Sequence, residues 1–134
     1  MRSFPLTALL AALVVVHFFT AVIHGIAHGA AQVPLNLPGL VFVIVVIQVG
    51  PLVGLALMRV QPRTGAAIIA ICMAGAFLFG VVNHFMLPGA DRVTEVDTYW
   101  RPLFGSTAVL LAFTEASAAI LGTVVAQRYA RSQS

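Results

Sequence analysis

Residues 5–31 read PLTALLAALVVVHFFTAVIHGIAHGAA, a stretch with no acid, lysine or arginine. About twenty apolar residues carry a helix across the hydrocarbon core of a bilayer, so this segment is long enough to span it alone. Comparable runs recur at 39–58, 65–87 and 103–126, and together the four occupy nearly the whole chain. The breaks have a chemical basis: Pro34 and Pro38 flank the first turn, Pro62 stands in the second, Pro88 and Gly89 end the third run, and Pro102 opens the fourth. The pattern predicts an all-α integral membrane protein, with residues 1–134 forming one four-transmembrane-helix bundle.

Composition agrees with that reading. The 134 residues are 60% hydrophobic and 8% charged, with a mean hydropathy of +1.03; soluble domains carry about 25% charged residues. A soluble globule, a disordered chain and a nucleic-acid binder are thereby excluded as readings. The net charge of +3 comes from seven arginines against four acids, with no lysine, and the arginines stand singly rather than in a run. They read as topology determinants. Arg2, Arg59, Arg63, Arg128 and Arg131 fall on one side of the predicted spans, so both termini are expected in the cytoplasm and the chain in the cell's inner membrane as a multi-pass protein. Arg2 followed by Leu6 to Val16 has the outline of a secretory leader. The apolar pattern continues to Ala31 and carries histidines, which favours a retained span.

Ionisable groups facing lipid cost several kcal/mol, so those inside a span turn inward and are functional candidates. All four histidines lie in predicted spans. In the first, His17, His24 and His28 are offset by seven and eleven residues, which puts them on one stripe at about 100° per residue. Gly25 and Gly29 beside that stripe suggest close approach of a neighbouring helix. The second span offers Gln48 and the pair Gly50-Pro51, which should kink the helix and free a backbone carbonyl. Gly50-x-x-x-Gly54 is a candidate for helix contact. The third ends in Asn83, His84 and Phe85. In the fourth, Glu115 shares its face with Ala108, Ala112, Ala119, Gly122 and Ala126, a stripe of small residues that points it into the bundle.

His24 and His28 sit at i and i+4, the spacing at which two imidazoles bind one metal ion. The glutamate of the zinc-peptidase motif is replaced by Gly25, so peptidase chemistry lacks its base. His84 could supply a third nitrogen and Asp91, just past the third span, an oxygen; His17 is a further candidate ligand or a partner for Glu115. Such a donor set suits zinc, iron or copper without choosing among them. Four functional readings remain open. One is a membrane metalloprotein whose site opens to the non-cytoplasmic side, with Glu115 as a catalytic group if it is an enzyme acting on a lipophilic small molecule. The second is haem b held by His28 and His84. A third is a transporter of metal ions or protons along the polar ladder, and a fourth a structural subunit whose polar groups only fix helix packing. The partners expected are the lipid bilayer and, in an oligomer, further copies of the chain, with no nucleic acid. Tyr99, Trp100 and Phe85 read as interfacial anchors, and Cys72 as a core residue.

Overall fold

The computed structural model describes residues 5–132, so Arg2 lies outside the described residues. Four helices are each long and apolar enough to cross a membrane: α1 (Leu6–Ala30), α2 (Leu37–Leu57), α3 (Pro62–Met86) and α4 (Arg101–Arg131). They start where the sequence places helix-initiating chemistry. Asn36 caps α2 by accepting the Gly39 N–H at 2.8 Å; α3 opens on Pro62, and Pro102 lies in the first turn of α4. The last helix runs five residues beyond the predicted boundary. Its final turn is polar, which a hydropathy reading discards but a helix tolerates at an interface.

The polarity of the bundle is inverted relative to a soluble protein. Phe19, Ile26, Ile71, Leu78, Phe113 and Ile120 are all exposed, whereas His17, His24, His28, His84, Thr107 and Glu115 are buried. That distribution suits a lipid-facing exterior, where apolar surface is at no disadvantage and an ionisable group is. Helix α4 packs against both α1 and α3, and α3 packs against α2, while α1 and α2 touch little. Leu10, Val14, Ala66, Ile69, Met73, Ala118 and Val125 form an apolar core, with Leu6, Met58 and Tyr129 packed against it. The beginning of α1, the α2–α3 turn and the end of α4 therefore share one end of the bundle.

Close helix contact is made by small residues, though not at every predicted position. A Cβ on Gly50 would stand 2.5 Å from Cys72 Sγ, and one on Gly65 would stand 2.5 Å from the Gly54 carbonyl oxygen. The Gly50-x-x-x-Gly54 motif thus seats α2 on α3. Gly25 and Gly29 behave otherwise: a Cβ on either meets nothing within 4 Å. The expectation that they admit a neighbouring helix is corrected. The histidine stripe itself faces α4 and α3, and the glycines lie off that contact on an exposed flank.

Two π-helical stretches interrupt the spans, Val43–Val49 in α2 and Val82–Met86 in α3. The first lies directly before Gly50-Pro51. Proline has no N–H to give the carbonyl four residues back, and that carbonyl, on Ile47, instead accepts from His17 Nε2 at 3.1 Å. The freed backbone acceptor is real, and a side chain from α1 satisfies it. The second stretch carries His84 at its centre.

Candidate metal centre

Opposite the shared end, the loop between α3 and α4 folds back over the helix tips. The Val93 N–H donates to the His84 carbonyl at 3.0 Å, and the Arg101 guanidinium donates from Nε and Nη2 to the Val96 carbonyl at 3.1 and 2.9 Å. Val96 is thereby buried with Ala27, Val33 and Phe104. This small apolar cap brings Asp91 back beside His84 and His28.

His24 and His28 from α1 and His84 from α3 converge beneath the cap. One ring nitrogen from each lies within 4.8 Å of the others, and the three could hold a metal ion. The ring centroids of His28 and His84 are 5.7 Å apart. Phe104 of α4 supports all three rings, at centroid distances of 4.7, 4.7 and 5.3 Å from His24, His28 and His84.

The hydrogen bonds fix which nitrogens face the centre. His24 Nδ1 lies 2.8 Å from Thr107 Oγ1. The Thr107 hydroxyl also lies within reach of the Leu103 and Phe104 carbonyls, at 2.7 and 3.1 Å. With its hydrogen on either carbonyl it accepts from His24, and the neutral ring carries its proton on Nδ1 and a lone pair on Nε2; with its hydrogen on His24 Nδ1, the ring carries its proton on Nε2. His84 Nδ1 has only acceptors around it: the Asp91 main-chain oxygen at 3.2 Å and Oδ1 at 3.0 Å. It is protonated at Nδ1. His24 Nε2 and His84 Nε2 lie 3.2 Å apart, a separation that suits either an N–H···N hydrogen bond, with Thr107 donating to His24 Nδ1, or two lone pairs sharing one cation. His28 is likewise between acceptors, with Nδ1 3.4 Å from the Val33 carbonyl and Nε2 3.3 Å from Asp91 Oδ1. Asp91 Oδ1 is itself buried without a properly directed hydrogen bond. Buried acceptors facing one another are costly unless a proton or a metal cation stands between them.

Asp91 is the one acid of the outer loop in this group. Burial acts to raise its carboxyl pKa, but the His84 N–H and the positive charge that His84, His28 and His24 can carry outweigh it and hold the group below the ordinary carboxylate range. Glu95 and Asp97 are exposed. His17, a candidate ligand by sequence, stands apart: Nε2 is committed to Ile47, and Nδ1 lies 3.7 Å from Glu115 Oε1. The pair sits deeper in the bundle. Of the alternatives for His17, proximity to Glu115 is the arrangement found.

Between the two levels lies a cavity of about 200 Å³ whose walls include His24, His28 and His84 at one end and Gln48 and Glu115 at the other. Thr107 and Phe104 were not singled out in the sequence, although both lie on the buried face of α4 that includes Leu111 and Glu115. A threonine on the face of a span shared with a buried glutamate is the signal that could have found it. No protein-family model, curated protein or solved structure matches the chain, and the convergence of three imidazoles remains its most specific chemical feature.

Proposed function

We propose that the chain is a multi-pass membrane metalloprotein that binds one first-row transition metal ion through His24, His28 and His84, with Asp91 beside them. The observation that carries this reading is the convergence of one ring nitrogen from each of His24, His28 and His84 within 4.8 Å of the others, with His24 Nε2 and His84 Nε2 3.2 Å apart and the Nδ1 atoms of both turned outward to Thr107 and Asp91. Two nitrogens bound to one ion at 2.0–2.1 Å lie about 2.8 to 3.4 Å apart, from octahedral to tetrahedral geometry. The outward Nδ1–H bonds to a hydroxyl and to carbonyl or carboxylate oxygens match the outer-shell contacts that orient metal-ligating histidines. Three imidazoles and a carboxylate suit zinc, ferrous iron or copper.

Arg59, Arg63 and Arg128 lie at the end of the bundle opposite the imidazoles, and positive residues favour the cytoplasmic side. That supports a site facing away from the cytoplasm in an inner membrane, with both termini inside. A haem held between His28 and His84 is disfavoured, because His24 stands 4.9 and 4.8 Å from their ring centroids and Phe104 packs on all three. A porphyrin would have to displace both. Glu115, in the cavity wall, is the group placed to exchange a proton with an occupant of that cavity, and it is the catalytic candidate if the protein is an enzyme.

The test is metal analysis with an optical spectrum of the chain purified in mild detergent. About one equivalent of metal without a Soret band supports the reading. Chain that takes up no zinc or cobalt, with ¹⁵N NMR placing a proton between His24 and His84, would replace the ion with an N–H···N hydrogen bond and overturn it.

A further inference from the structure

The cavity inside the imidazole group has features that metal binding does not require. Its middle is apolar, walled by Ala21, Ala76, Phe79, Leu111 and Ala112. At the inner end Gln48 Oε1 is buried with no hydrogen-bond partner, and Glu115 is 3% exposed. A buried amide oxygen without a donor needs an explanation, and the side chain that carries it belongs to a residue lining an open space. The cavity also reaches the lipid-facing surface. Gly25 and Leu40, from α1 and α2, line it and are both exposed, and the space a side chain would fill at Gly25 is empty. Their neighbours Val22, Ile26 and Val41 are exposed aliphatic residues. The mouth therefore faces the bilayer sideways, where α1 and α2 barely touch.

Size narrows the occupant. A dry cavity of about 150 Å³ accommodates benzene, with six heavy atoms; on the same scale the 200 Å³ here takes about eight. We propose that this cavity binds a single-ring phenol drawn from the membrane, its hydroxyl donating to Gln48 Oε1 and its far edge turned toward the imidazole group. The ring supplies the apolar contact, the hydroxyl supplies the donor that Gln48 lacks, and a solute of this class reaches the mouth through the lipid. The proposal rests on the metal reading only for what the far edge of the ring faces.

The experiment compares 4-fluorophenol with 4-fluorotoluene, equal in heavy-atom count and differing in the hydroxyl, by ¹⁹F NMR on the full chain in nanodiscs. The expected result is saturable one-to-one binding of 4-fluorophenol about tenfold tighter than of 4-fluorotoluene, the range for satisfying a buried acceptor. Gln48→Leu should bind both probes equally. Gly25→Leu, on an exposed flank where folding is not at stake, should slow exchange of the bound probe. Absence of saturable binding, no preference for the hydroxyl, or a preference that survives in Gln48→Leu would each overturn the proposal. Cobalt uptake measured on the same samples separates the two ideas. Phenol binding without cobalt binding leaves the cavity proposal standing and removes the metal; cobalt binding without phenol binding does the reverse.

Discussion

Replacing Thr107 with valine removes one oxygen and keeps the shape of the side chain, and its effect should fall mainly on metal affinity. With a metal on His24 Nε2 the ring proton is on Nδ1, and Thr107 Oγ1, 2.8 Å away, accepts it. Without that acceptor, metal-free His24 can move its proton to Nε2 and donate to His84 Nε2, 3.2 Å away. The fold then loses one hydrogen bond at Nδ1, about 0.5–1.5 kcal/mol. A metal ion at Nε2 forces the proton back to Nδ1, now buried against a methyl group. An unsatisfied buried donor costs about 1–3 kcal/mol, which is roughly 5- to 150-fold in affinity. The 10–100-fold typical of deleting an outer-shell partner falls in the same range. Competition titration of zinc against a chromophoric chelator, with thermal unfolding of the metal-free protein alongside, reads both quantities. Thr107→Val should weaken zinc about 10- to 100-fold with a smaller loss of metal-free stability, and Thr107→Ser should restore affinity. Unchanged affinity in Thr107→Val, or a loss of metal-free stability as large as the loss of binding, would refute the reasoning.

Other substitutions probe the remaining links. Gly65→Ala should destabilise the bundle by about 1–3 kcal/mol, because its Cβ meets backbone atoms of α2 at 2.5 Å; Gly25→Ala, with open space around it, should be neutral or stabilising by up to about 1 kcal/mol. Thermal unfolding in one detergent compares the two. His17→Phe should cost about 1–3 kcal/mol by stranding the Ile47 carbonyl while leaving metal stoichiometry at one. In a Pro51→Ala background, where a backbone N–H becomes available to that carbonyl, the cost of His17→Phe should shrink, and a double-mutant cycle measures the difference. Arg101→Met removes both donors to the Val96 carbonyl and should loosen the cap over the imidazoles, seen as faster zinc release to excess chelator.

Much of this was legible in the sequence, because a bilayer leaves few solutions for a chain so poor in charge. Hydropathy located four spans to within a few residues, and helical periodicity alone put His17, His24 and His28 on one inward stripe. The proline at 51 announced a free carbonyl, and the small-residue face of α4 announced a buried Glu115. What escaped was whatever depended on a partner helix. Nothing local in Val43–Val49 or Val82–Met86 marks a π-helical turn; the widened turn in α2 adjoins Pro51, and the one in α3 sets where His84 points. Thr107 and Phe104 look like ordinary span residues until α1 brings two imidazoles against them. Gly25 and Gly29 misled for the complementary reason. Small residues permit close packing, but here the adjoining space is open, on the exposed flank of α1.

The central claim, that three imidazoles share one ion, is tested most directly by the metal content of the chain purified from cells in mild detergent, set beside that of the His24→Ala/His84→Ala variant. About one equivalent of a first-row transition metal in the former and almost none in a folded form of the latter is the predicted result. Equal metal in both, or none in the unaltered chain even after incubation with zinc and cobalt, would contradict it.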